Sequence, residues 1–166
     1  MRLSIAIWPP AEIVEELGAL DRAPGIQWSE PAQWLIKVRP LGTVSERVVP
    51  DLVDALTFEL EGAPSARCVL GPRTRALGGW LGVPVSGLDE LAAVVFDATA
   101  PIVPVTHPQP FHAYVWVARG RVRASAAGAA ISGEWIADRI ALVADRSSPG
   151  RPRFEDLSVF ELERSA

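Results

Sequence analysis

An α+β fold, with mostly antiparallel sheets and helices packed against their outer faces, is predicted from three observations. First, apolar runs of strand character and segments of helical spacing follow one another irregularly, in the order β-α-β-β-α-β-β-α-β-β-β. Second, the helix-and-strand pattern recurs loosely in each half of the chain, although no short repeat is present. Third, 166 residues with 49% apolar and 22% charged side chains form an ordinary globular composition. A chain of that size suits one domain, or two intimately packed lobes sharing a core, and we expect a single two-lobed domain over residues 1–166.

The elements follow in order. Arg2-Leu3-Ser4-Ile5-Ala6-Ile7-Trp8 reads as a buried opening strand stopped by Pro9 and Pro10. Pro10 suits the first turn of a helix, where its missing amide hydrogen is not needed. That helix puts Ile13, Val14, Leu17 and Leu20 on one face and Glu12, Glu15 and Glu16 on the other, and Asp21 to Gly25 closes it. A short strand around Ile26-Gln27-Trp28 precedes a second one, Trp34 to Arg39, ending at Pro40. Thr43-Val44-Ser45-Glu46 has capping-box spacing and opens a helix whose apolar face is Val49, Leu52, Val53, Leu56 and Leu60. Pro50 belongs near its start, since an interior proline removes a hydrogen bond.

Arg67–Leu70 and Gly79–Val83 read as strands around a loop at Gly71–Arg75. Ser86-Gly87-Leu88-Asp89 is a second capping box, leading into Leu88, Leu91, Ala92 and Val95 at helical spacing. Residues 101–110 hold four prolines and form a stiff extended connector. Phe111–Ala118 is a strand, and Ala124–Ala130 a loop or short helix of small residues. Trp135–Ala144 and Phe154–Leu162 are two further strands around a turn at Ser147–Gly150.

A net charge of −4 provides no general attraction to nucleic acid, which counts against an RNA partner. The local exception is Arg119-Gly120-Arg121-Val122-Arg123, whose plain reading is a solvated strand end. Cys68 is alone, so no intramolecular disulfide forms and no oxidising compartment is implied. The opening apolar run is too short for a signal-peptide core and no later run is long enough to span a bilayer. These features lead us to expect a soluble cytoplasmic protein with no membrane partner. No cluster of His, Cys, Asp or Glu has metal-ligand spacing, so neither a metal nor a cofactor is expected. Of the six tryptophans, Trp8, Trp80 and Trp135 fit core strand positions, and Trp34 is expected to pack under the helices.

Two strand segments carry a resemblance. Gln33-Trp34-Leu35-Ile36-Lys37-Val38-Arg39-Pro40-Leu41-Gly42 is similar to the NLHLTLRFLG segment of the two-histidine (2H) phosphoesterases. Pro110-Phe111-His112-Ala113-Tyr114-Val115-Trp116-Val117-Ala118-Arg119 resembles their PFRPHLTLAR segment. This is the LigT-like group, which includes RNA 2′,3′-cyclic phosphodiesterases and the so-called 2′-5′ RNA ligases. Further landmarks fall in the family's order. Residues 2–10 resemble RLFFALWPP, residues 79–83 resemble VLWLGV, and residues 140–143 and 152–157 resemble the closing strand pair. The resemblance implies two pseudo-symmetric lobes of antiparallel sheet facing a central cleft, with the helices outside. It also implies that one strand of each lobe brings a His-x-Thr motif into that cleft. In active relatives one histidine is the general base, the other protonates the leaving oxygen, and the threonines hold the phosphate.

Both motifs are replaced here. Leu35 and Tyr114 stand at the histidine positions, and Lys37 and Trp116 at the threonine positions. Leucine carries no proton, a phenol is a poor base near neutral pH, and an indole takes up the space of a phosphate. Loss of cyclic phosphodiesterase activity follows. Leu35, Tyr114 and Trp116, with Lys37 at their edge, are expected to line an apolar and aromatic cleft suited to a small ligand. Lys37, Arg39 and Arg119 form a candidate anion clamp. The alternative is that Arg119 solvates a strand end while Arg39 pairs with a carboxylate. His112, two residues before Tyr114, is a candidate surrogate base, and His107 reads as a loop histidine.

Three functions compete. The first is a degenerate 2H-fold protein binding a small molecule without cyclic phosphodiesterase activity. The second is a repurposed enzyme of isomerase or cyclase type using Tyr114, Lys37 or His112. The third is an RNA-binding module using Lys37, Arg39 and the Arg119–Arg123 stretch.

Overall fold

The structure is a computed structural model and describes residues 1–121 and 126–163. Ten strands and three helices appear among the described residues: β1 Arg2–Ile7, α1 Ala11–Gly18, β2 Gln27–Trp28, β3 Ile36–Thr43, α2 Val49–Leu60, β4 Ala66–Leu70, β5 Arg75–Leu77, β6 Trp80–Ser86, α3 Asp89–Thr99, β7 Ala113–Arg119, β8 Gly133–Ala137, β9 Arg139–Asp145 and β10 Phe154–Glu161. They form two sheets with every named pairing antiparallel. The first sheet has the order β10-β9-β1-β3 and the second β2-β7-β6-β4-β8, with β5 attached to β6. The architecture is α+β, as expected.

One continuous core joins the sheets and helices. Leu3, Ile5 and Ile7 of β1 meet Leu52, Leu56 and Leu60 of α2 and Val83 and Val115 of the second sheet in the same buried cluster. Burying a side chain of this size contributes about 1.5–3 kcal/mol, so the cluster is the main stabilising element. α2 packs on α3 and on β10, α3 on β3, and α1 on β8. α1 therefore leaves a strand of the first sheet and covers the edge of the second. Its Ile13 fits there because Gly133 has no Cβ: an added Cβ would lie 2.6 Å from the Ile13 methyl.

Several boundaries differ from the sequence reading for identifiable reasons. Trp34 ends a short 3-10 turn, Pro31–Gln33, so the strand starts at Ile36 and continues through Pro40 to Thr43. A proline is tolerated there because β3 is an edge strand and needs no donor on its free side. The expected capping box does not cap the second helix: Ser45 caps a 3-10 turn over Glu46–Val48, accepting from the Arg47 amide at 3.3 Å, and α2 follows from Val48 with no side-chain cap and with Pro50 in its first turn. At α3 the cap residue is Leu88, and no side-chain capping bond forms from Ser86. The stretch after Gly71 contains the additional short strand β5.

The segment 135–144 is two strands, not one. β8 pairs with β4 of the second sheet and β9 with β1 of the first, and Asp138 lies at the change-over. β9 is buried on both faces, with Ile140, Leu142 and Ala144 toward the main core and Ala141 and Val143 in a second, smaller cluster. Such two-sided burial reads as a continuous apolar run and hides the break. Part of the small-residue stretch 124–130, and Val122 and Arg123 of the basic stretch, lie outside the described residues. No helix among the described residues is long and apolar enough to cross a membrane.

Cys68 is fully buried on β4, and burial pushes its thiol up to about 11 from 9.0. The unfolded chain therefore ionises first as pH rises. Stability is unaffected below about pH 9 and falls by about 2–3 kcal/mol between pH 9 and 11. Urea midpoints across that window check this, and Cys68→Ala removes the Cys68 share of the loss.

Candidate functional site

One bulge in each sheet decides what faces the space between them. In the first sheet Ala6 pairs with Lys37 and Ile5 with Arg39, leaving Val38 as an extra residue. In the second, Gly82 pairs with Trp116 and Leu81 with Ala118, leaving Val117 as an extra residue. An extra residue breaks the two-residue alternation of side chains. The bulges fall at equivalent points, one residue after Lys37 and one after Trp116. The two lobes are therefore alike where the motifs lie, and β3 and β7 adjoin across the sheets.

Arg39 is turned by its bulge onto the Ile5 side, away from Leu35 and Lys37, which corrects the expectation of a shared face. It is 4% exposed, donates to Thr99 Oγ1 and the Val103 carbonyl, and lies 5.2 Å from the centre of the Phe96 ring. Thr99 Oγ1 also donates to the Val95 carbonyl at 2.7 Å. Arg39 thus ties the end of α3 and the start of the connector to β3. Neither the anion clamp nor the carboxylate pair describes it. The corresponding shift on β7 returns Arg119 to the face of Trp116, opposite Trp80.

The second sheet carries an aromatic cluster on β6 and β7, of which Trp80 lines the inter-sheet cleft and Tyr114 and Trp116, like Leu35 of the first sheet, do not. Tyr114 and Trp116 stack with ring centres 5.0 Å apart and 29° between planes, and Trp116 meets Trp80 edge-on at 6.0 Å and 61°. The Trp116 indole packs against Gly82, where a Cβ would come within 2.8 Å of it. Trp80 is 43% exposed, because the Gly78–Gly79 turn and the pairing with Arg119 place it on the open face; its assignment to the core is corrected. Trp135 and Trp34 are buried as expected, with Trp34 Nε1 donating to Ser29 Oγ at 2.9 Å. Trp8 is half-buried beside Phe154 and donates to Asp156.

The wall from the first sheet combines a small apolar cluster with charge. Leu35 is buried with Ala6, Ala141 and Val143, against Trp8 and Phe154. Beside this cluster lie Arg2, Lys37 and Asp145, which with Phe154 line a cleft of about 560 Å³. Trp28, Trp80 and Arg119 line the same cleft from the second sheet, and Arg119 Nε donates to Gln27 Oε1 at 3.2 Å. Lys37 is exposed on β3, yet desolvation by its crowded surroundings, and then the neighbouring Arg2, hold its amine below its ordinary value, and Asp145 partly offsets them. Arg2 and Asp145 went unnoticed in the sequence. Alternation from Lys37's partner Ala6 would have placed Arg2 on this face, with Ser4 between them, whereas Asp145 arrives only by pairing of β9 with β1.

A groove of about 400 Å³ lies on the other side of Lys37, between the free edge of β3 and residues 103–112. His107 and His112 both line it. His112 precedes β7, is exposed, and shares a further hollow of about 320 Å³ with Tyr114 and Arg75. Among the described residues no group of three or more His, Cys, Asp or Glu is placed to hold a metal ion.

Two curled antiparallel sheets with a cleft between them define the fold of the two-histidine phosphoesterase superfamily, and the chain has that LigT-like fold. The protein TT0787 of Thermus thermophilus superposes with a TM-score of 0.78 at 21% identity, covering 98% of both chains. E. coli LigT complexed with 3′-AMP gives 0.79 at 20% identity and covers 97% of each. A structure described simply as a phosphoesterase gives 0.75 at 25% identity over 97% of this chain and 98% of the other. No protein-family model and no curated protein matches the chain.

Arg39→Ala removes the donors to Thr99 and Val103, and stability is expected to fall by about 2–3 kcal/mol, read as a lower urea midpoint at unchanged slope. Gly82→Ala is expected to lift Trp116 from its seat. The coupled-indole band in far-ultraviolet circular dichroism, present in the parent chain and lost in Trp80→Phe, should then be lost in Gly82→Ala as well.

Proposed function

We propose that this chain uses the LigT-like fold to bind a small aromatic acid between its sheets and does not open cyclic phosphodiesters. The observation that carries the reading is the replacement of both motifs together with the seat of Trp116. Leu35 and Tyr114 provide no acid–base pair, and Trp116, packed against Gly82 and stacked on Tyr114, occupies the motif position that would hold a phosphate. In-line displacement at phosphorus needs a base on one side and an acid on the other.

The ligand class follows from the cleft lining. Trp28, Trp80 and Phe154 offer aromatic surface, while Arg2, Lys37 and Arg119 place three cations against the single carboxylate of Asp145. A flat ring with one acidic group satisfies both features. Charge-assisted contacts reward the acid, and ring packing rewards the rest. An expected partner is thus a small molecule.

Calorimetric titration with 2-naphthoate tests the binding. Saturable binding is expected, at least about tenfold weaker for the neutral amide, weakened by salt and lost in Arg119→Ala. Tryptophan fluorescence in Trp116→Phe reports the same event from Trp80. Salt-sensitive binding of RNA in place of naphthoate, lost in Arg119→Ala/Arg121→Ala, would favour the RNA-binding module.

The purified protein is also expected to leave a nucleoside 2′,3′-cyclic phosphate unopened. Restoring Leu35→His and Tyr114→His alone should not create turnover, because Trp116 still crowds the site; Lys37→Thr and Trp116→Thr are needed as well. Turnover by the parent protein, abolished by His112→Ala, would overturn this and assign His112 as a surrogate catalyst.

A further inference from the structure

Among the 16 lysines and arginines of the chain, Lys37 is the sole lysine. The difference is chemical. A guanidinium stays protonated and is no nucleophile in proteins, whereas an ammonium that loses its proton is a good one. The chain therefore carries one side-chain amine, and its place is the meeting point of the inter-sheet cleft and the β3 groove, both of which it lines. Its backbone is fixed on both sides, by pairing with the fully buried Ala6 and by the bulge at Val38.

We propose that Lys37 is a nucleophilic amine that captures an aldehyde or ketone bearing an acidic group as a reversible imine. This rests on the reading of the cleft as a ligand site and deepens it. The free amine adds its electron pair to the carbonyl carbon, and its proton passes to the oxygen, giving a carbinolamine. Loss of water then forms the C=N bond, and water addition reverses the sequence, so no oxidant or reductant is consumed.

The surroundings suit this role. A lysine becomes nucleophilic when it is desolvated or stands beside another cation. The second condition holds: Arg2 lines the same cleft as Lys37, and although the Lys37 side chain is exposed, its crowded surroundings and Arg2 lower its value. The charged groups facing the cleft beside it are Arg2 of β1, Asp145 of β9 and Arg119 of β7. On the groove side are His107, His112 and Arg39, whose guanidinium is engaged by Thr99 and Val103. Arg2 is a positioning residue: its charge disfavours the ammonium, and with Arg119 it offers a seat for the acid of the ligand.

The test is trapping with 4-carboxybenzaldehyde and cyanoborohydride, followed by peptide mass mapping. The exposed amine introduced by Arg47→Lys serves as an internal reference. Reduced adduct is expected to form faster at Lys37 than at the reference near neutral pH, because a lowered amine value leaves more free amine there. It should be absent in Lys37→Arg. Arg2→Ala should move the pH profile of trapping upward and slow it near neutrality. Equal rates at the two side chains, or adduct confined to the N-terminal amine, would overturn the proposal. Terephthalate, which has no aldehyde, separates the two readings. Its binding without trapping at Lys37 overturns the imine alone, whereas failure of both overturns the ligand reading as well.

Discussion

Two extra residues, Val38 and Val117, set the chemistry available between the sheets. Without the bulge at Val38, Arg39 would stand beside Lys37, and the first wall would carry an additional cation. With it, the guanidinium is turned inward and fastens a helix end. Without the bulge at Val117, Arg119 would face the core, where an unpaired charge is costly. One insertion therefore withdraws an arginine from the cleft and the other supplies one. The core beneath fixes both, since neighbouring Ile5, Val115 and Val117 are fully buried and cannot exchange faces.

The order of elements and the α+β class were legible because strands such as Arg2–Ile7 and helices such as Val49–Leu60 have strong local periodicity. Leu35–Lys37 and Tyr114–Trp116 stand out as candidate motif positions because their flanks resemble the family segments. Bulges leave no such trace. Val38 and Val117 look like any strand valine, so Arg39 was placed by simple alternation on the wrong face. The break at Asp138 was hidden because β9 is apolar on both sides. Trp80 was misplaced because tryptophan is usually well buried, while here a two-glycine turn presents it on the open face. Arg2 and Asp145 come together only through strand pairing, which local sequence does not encode.

The cleft combines features that would oppose one another if mixed. Aromatic rings gather on the second sheet and charge on the strands of the first, with Arg119 joining the charged side from across the gap. A phosphate-binding site wants small hydroxyl-bearing side chains and open volume. Here an indole lies on a glycine, so the volume has been exchanged for flat apolar surface. A shared fold therefore does not by itself imply shared chemistry.

The Arg39 tether has a mechanical consequence. The connector of residues 101–110 starts at a point fastened to the edge of the first sheet and then runs into β7 of the second. Its four prolines make it a strut of limited compliance. A proline-rich span tied to β3 at Val103 and continuing into β7 opposes changes in the separation of the two sheets. For the proposed ligand this means walls set in advance, so that little binding free energy would be lost to ordering the protein.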